Sequence, residues 1–116
     1  MSDRTFSIIC DLKRNLDDVS SLIRTISEDA EYYEDNENNY LLPVSGSWTT
    51  LNMGSVSSAK AVVLVSDTQL KVKLNAGSEE FYCDKVWIMF TRLVTQIEVE
   101  NQSATDEATL YFYAIG

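Results

Sequence analysis

The sequence predicts a mainly β fold, an antiparallel β-sandwich of jelly-roll type with an N-terminal strand and one short amphipathic helix. Three observations lead there. From residue 46 onward the chain is a succession of short alternating apolar and polar segments separated by turn residues. The first residues, Thr5–Lys13, are β-branched and aromatic, with Phe6, Ile8, Cys10 and Leu12 alternating with Ser7, Ile9, Asp11 and Lys13. After them, Asn15 stands before Asp17 and Asp18, the pattern of a capped helix start. At 116 residues with 45% apolar side chains, the chain has the size and content of one ordinary domain. Residues 1–45 form an N-terminal arm with an acidic loop, and residues 46–116 form the sandwich.

The elements follow in order. A strand covers Thr5–Lys13. A helix is expected over about Leu16–Ser27, with Leu16, Val19, Leu22, Ile23 and Ile26 on one face and the two aspartates at the positive end of its dipole. A second parse fits the same residues. Ile9, Leu12, Leu16, Val19, Ile23, Ile26, Ala30 and Tyr33 keep a three-four spacing, which describes one coiled-coil helix from about Ser7 to Tyr33 with a preference for trimers. Glu28–Asn39 carries six acids and no base, and reads as a loop or linker. Pro43, the chain's one proline, follows it.

The sandwich opens with a strand over Trp48–Met53. Ala59–Val65 is apolar on both faces and reads as a buried central strand. A turn is expected at Ser66-Asp67-Thr68. In Gln69–Asn75, Leu70, Val72 and Leu74 point inward, and Lys71 and Lys73 point outward. Asn75–Ser78 is a turn. Phe81–Cys83, Val86–Leu93, Gln96–Glu100 and Ala108–Ile115 are strands. Lys71 and Lys73 are placed to face Glu98 and Glu100 across a sheet, a surface pairing of small energetic weight.

Charge and composition narrow the function. Eighteen acids against nine bases give a net charge of -9. This disfavours nucleic acid and anionic membrane surfaces, both of which need a basic face. There is no histidine, which removes the commonest general base and metal ligand. Cys10 and Cys83 stand far apart in apolar stretches and read as small hydrophobes; a single disulfide is permitted, but no zinc cluster. Glu79-Glu80 and Asp17-Asp18 are adjacent carboxylates on polar segments, not a pair held across a cleft. Asp35–Asn39 has alternating oxygen ligands as calcium loops do, yet Tyr40 is followed by Leu41 and Leu42 where such a loop needs glycine, and Gly46 stands where it needs glutamate. The glycines are too scattered for a phosphate loop. Met1–Cys10 lacks a basic region followed by an apolar run, so no secretory signal is expected, and no apolar run is long enough to span a bilayer. Neither an enzyme nor a cofactor is implied.

Two groups of residues remain for recognition. Leu16, Val19, Ile23 and Ile26 could be an oligomer or docking interface. Tyr32, Tyr33, Tyr40 and Trp48 flank the acidic segment and could stack on a sugar ring or a partner protein, which gives a second reading as a carbohydrate- or host-surface-binding module.

The run Trp48-Thr-Thr-Leu-Asn-Met-Gly54, the hydrophobic stretch closing in Ser66-Asp67, and the alternating Val72-Lys-Leu-Asn75 resemble small β-sandwich virion proteins of tailed bacteriophages. Val94-Thr-Gln-Ile-Glu-Val-Glu-Asn101, a polar turn, and Ala108-Thr-Leu-Tyr-Phe-Tyr113 continue the likeness, which covers about three-fifths of the chain. It is a pattern of strands and turns, not a signature of chemistry. It implies capsid decoration, or attachment of fibres or other parts to head or tail. It further implies symmetric homo-oligomers, with trimers favoured, contacts with other virion proteins, and synthesis in the host cytoplasm followed by residence in the virion. It transfers no catalytic residue.

Overall fold

The computed structural model describes residues 4–16 and 19–116, without the side chains of Leu16, Ile23, Thr91 and Arg92. The protein is mainly β, built of antiparallel sheets, and contains no helix among the described residues. It divides into two compact units, Met1–Tyr32 and Tyr33–Gly116. β3, which the sequence reading grouped with the arm, belongs to the second unit through its pairing with β8.

The first unit is a two-stranded ribbon of β1 (Arg4–Leu16) and β2 (Val19–Tyr32). Its register runs from Arg4 opposite Tyr32 to Leu16 opposite Val19, with one irregularity at Leu12/Lys13. The expected helix over Leu16–Ser27 is therefore corrected to a strand, and the coiled-coil parse falls with it. Val19, Ile23, Thr25 and Ile26 are β-branched, and Ser20, Ser21 and Ser27 compete with helical backbone bonds, which leaves Leu16, Leu22 and Arg24 as the strong helix formers of the stretch. A strand of matching length lies immediately before it in the chain to pair with. Asp17 and Asp18, the supposed first helical turn, lie outside the described residues. Polar pairs tie one face of the ribbon. Ser7 Oγ donates to Asp29 Oδ1 at 2.6 Å, and Thr25 Oγ1 donates to Asp11 Oδ1 at 2.8 Å, each between residues directly opposite one another.

The second unit is one six-stranded sheet of β3 (Asp35–Leu42), β4 (Thr49–Thr50), β5 (Ala59–Leu74), β6 (Glu80–Val94), β7 (Ile97–Asn101) and β8 (Ala108–Ile115). The order is β3-β8-β5-β7-β4, and β6 pairs with β5. β5 is the spine. Its first part, Ala61–Ser66, pairs with β8, and its second, Leu70–Leu74, with β7. β6 accompanies both parts, with a register shift between Val65 and Gln69. The turn expected at Ser66-Asp67-Thr68 is this irregularity inside a continuous strand. Ser66 Oγ accepts from Thr68 N, and Asp67 Oδ1 accepts from Thr109 N, so the polar residues that suggested a turn satisfy the backbone where the ladder is interrupted. On β6, Lys85 at φ 84° marks the same interruption.

The core follows from period two. Val62, Leu64, Leu70 and Val72 of β5, Ile97 and Val99 of β7, and Leu110 and Phe112 of β8 are fully buried. Lys71 and Lys73 are opposite Glu100 and Glu98, as their alternation predicts. An ion pair, however, joins Lys71 to Glu80 on β6 at 3.4 Å. The strand expected over Trp48–Met53 shrinks to Thr49–Thr50. The turn at Asn75 does form, with Asn75 and Ala76 at φ 55° and 56°; Asn75 Oδ1 accepts from Thr95 N at 2.7 Å and fastens the turn to the next strand connection.

Candidate interaction surface

The segment read as an acidic loop is instead a strand in which two chemistries alternate. Asn36, Asn38 and Tyr40 of β3 turn one way. Asn36 Nδ2 donates to Asn52 O at 2.7 Å, and Tyr40 Oη accepts from Asn52 N at 2.7 Å. Asn38 Nδ2 reaches Asn36 Oδ1 at 3.4 Å. These carboxamides hold the 52–54 turn, where Gly54 sits at φ +59° and an added Cβ would meet Asn36 Oδ1 at 2.6 Å. The side chains proposed as alternating calcium ligands are thus split between two faces of a strand. Among the described residues no three acidic, cysteine or histidine side chains converge on a metal position.

Asp35, Glu37 and Asn39 are exposed on the other face. There the register builds two rows across four strands. Glu37 lies opposite Tyr113, Tyr113 opposite Val63, and Val63 opposite Ile88. Asn39 lies opposite Tyr111, Tyr111 opposite Val65, and Val65 opposite Val86. Val65, Val86 and Ile88 are 40%, 54% and 39% exposed, although they belong to apolar runs. The face is apolar on its β5–β6 side and acidic on its β3 side. The acids are fixed by the tyrosines: Tyr111 Oη donates to Glu37 Oε2 at 2.5 Å and Tyr113 Oη to Asp35 Oδ2 at 3.2 Å.

The hydrogen bond to Glu37, and then burial, push the Tyr111 hydroxyl up from 10.0 to about 12. The folded protein thus keeps this proton where the unfolded chain loses it. Whatever stability the bond contributes is present below pH 10 and is lost as pH rises toward 12. An alkaline ultraviolet titration should show one tyrosinate appearing late, and Glu37→Gln should bring it back toward the ordinary range. An unchanged titration in that variant would contradict the bond.

The sequence-predicted site residues fall in different places. Val19 and Ile26 lie on β2 and are 65% and 38% exposed; Leu16 and Ile23 also lie in the ribbon, their side chains outside the described residues. Ile9, Leu12 and Leu22 add exposed apolar surface to the same ribbon. Tyr32 ends β2. Of the second unit's aromatics, Tyr33 has Lys60 Nζ 5.7 Å from its ring centre, Trp48 has Lys73 Nζ at 4.3 Å, and Tyr40 packs against the core. Each of these three has its own partner.

Cys83 is buried, and desolvation and Asp84 raise its thiol to about 11, so it stays protonated at neutral pH. Cys10 is half-buried in the ribbon, and both cysteines are free. No family model, curated protein or solved structure matches the chain.

Proposed function

We propose that this protein is a structural subunit that works by protein–protein contact in a symmetric assembly. On the likeness carried by about Trp48–Ile115, the assembly is a bacteriophage virion, with the protein decorating the capsid or attaching parts of head, tail or fibre. The second unit is the rigid body, read as a sandwich in which the curled sheet faces itself across the core. The first unit is the docking arm. No catalytic step and no cofactor enters the proposal.

The observation that carries the reading is the ribbon itself. Two strands cannot cover each other's faces, and an isolated hairpin is marginal in water. Here the hairpin spans Arg4–Tyr32 and leaves Ile9, Leu12, Val19 and Leu22 at 70%, 46%, 65% and 59% exposure. Scattered exposed apolar residues need no explanation, but a run of them on a thin ribbon indicates a surface that is covered in the working state. Copies related by symmetry would add weak contacts into stable attachment.

Light scattering on the full chain over a range of concentrations tests this. The mass should rise from that of a single chain to a defined multiple, a trimer being favoured. Val19→Asp together with Ile26→Asp should weaken association at least about tenfold while leaving the body folded. A wild-type chain that stays single at high concentration would overturn the reading.

A further inference from the structure

β5 and β6 are apolar at every position over Ala61–Val65 and Val86–Phe90. Strands covered on both faces read this way. Here one face closes the core, while Val65, Val86 and Ile88 stay exposed on the other. Carboxylates border this strip. Asp35 and Glu37, held by Tyr113 and Tyr111, stand on its β3 side. Asp67 and Asp84 are exposed at its end, each two residues along the strand from Val65 or Val86, with exposed Lys85 as the cation beside them. An apolar strip with a mostly acidic border fits a partner that carries an apolar stripe and flanking cations.

The chain itself does not supply that partner. Residues 1–32 hold seven acids and four bases, and residues 33–116 eleven and five, so a second copy brings more negative charge to an acidic border. Geometry points the same way. An occupant of a sheet face, unlike one at a sheet edge, gains no ladder hydrogen bonds from the strands beneath it, so its own backbone must be satisfied internally. A helix does this, and none of the described residues is helical. Four strands span about 14 Å across the strip, room for one helix about 10 Å wide.

We propose that the outer β3–β8–β5–β6 face docks a basic amphipathic helix of a different protein. Its apolar stripe covers Val65, Val86 and Ile88, and lysines or arginines along one edge meet Asp35 and Glu37. Because Tyr113 and Tyr111 already orient these carboxylates, little freedom is lost in ordering them on binding. This goes beyond the assembly of identical copies: the ribbon joins copies, and the outer face recruits another component.

A synthetic peptide of leucine and lysine, about 18 residues long and patterned as an amphipathic helix, serves as the probe. Calorimetric titration into the full chain at low salt should show saturable binding. A scrambled peptide of the same composition, and one with glutamate in place of lysine, should bind at least about tenfold more weakly. On the protein, Asp35→Asn with Glu37→Gln should weaken binding at least about tenfold, as should Val65→Ser with Ile88→Ser in a chain still folded by circular dichroism. Glu98→Gln with Glu100→Gln removes the same charge from β7 and should change binding less than about twofold. A wild type that ignores the patterned peptide, binding that is indifferent to the order of its residues, or equal losses from the β3 and β7 variants would overturn the proposal. So would a neutral oligosaccharide that binds these residues in the peptide's place. The β3 variant should keep the wild-type mass in light scattering. Failure here therefore leaves the assembly reading intact, and a wild type that never self-associates leaves this helix site intact.

Discussion

Phe112→Ala is expected to cost about 3–5 kcal/mol of folding stability. Phe112 has no exposed surface and is the largest of the fully buried side chains. It sits on β8 opposite Leu64 of β5 and Asn38 of β3, in the middle strand of the side of the sheet that bears the outer face. Removing the ring leaves a cavity that the backbone cannot close, because β8 is hydrogen-bonded to a strand on each side. For a body of this size the loss is a large part of the whole stability. Urea unfolding should show a lower midpoint with an unchanged slope. A loss below about 1 kcal/mol would mean that the core is not packed as described.

Asn101→Asp is expected to be of similar severity, about 3 kcal/mol or more at neutral pH, for a different reason. Asn101 is 2% exposed, and its carboxamide makes four hydrogen bonds that tie its own connection to β5 and to the Pro43 segment. Nδ2 donates to Pro43 O at 3.0 Å and to Asp106 O at 2.8 Å. Oδ1 accepts from Thr68 Oγ1 at 2.8 Å and from Ser103 N at 3.0 Å. A carboxylate keeps the two acceptor roles but sets a negative charge against two carbonyl oxygens. Those carbonyls and the burial raise the folded-state pKa of the new carboxyl above its unfolded value. The destabilisation relative to wild type should therefore shrink as pH falls through the folded-state value, where a protonated carboxyl can donate once. Asn101→Leu should be destabilising without that pH dependence. Equal losses for Asn101→Asp at pH 5 and pH 8 would count against the geometry.

The sequence revealed the body better than the arm. Alternation at Leu70–Leu74 and at Ile97–Val99 identified strands, inward faces and even the facing of Lys71 and Lys73 with Glu100 and Glu98, because one buried face pins register. Ser66–Thr68 was misread because a polar triplet inside a strand looks the same as a turn until its partners are known. The ribbon was misread because Leu16, Val19, Ile23 and Ile26 satisfy a helical period by spacing, while the β-branching of Val19, Ile23 and Ile26 favours a strand; the pairing partner, β1, decides between the two. The outer face was missed for the opposite reason. Val63, Val65, Val86 and Ile88 lie in runs apolar at every position, and such runs read as buried on both sides. A signal was present one strand away: Asp35, Glu37 and Asn39 alternate with Asn36, Asn38 and Tyr40 at period two, the mark of a strand with one face outward.

The proposal on which most depends is that the exposed apolar side chains of the Arg4–Tyr32 ribbon, which its own two strands cannot cover, are covered by a neighbouring copy. Hydrogen exchange read by mass spectrometry on the full-length protein addresses it directly, comparing ribbon peptides with peptides of β5 and β8 across a dilution series. The account predicts slow exchange in β5 and β8 at every concentration, and exchange in the ribbon that slows only as the chains associate. Ribbon amides equally protected in single chains and in concentrated protein, or equally unprotected in both, would contradict it.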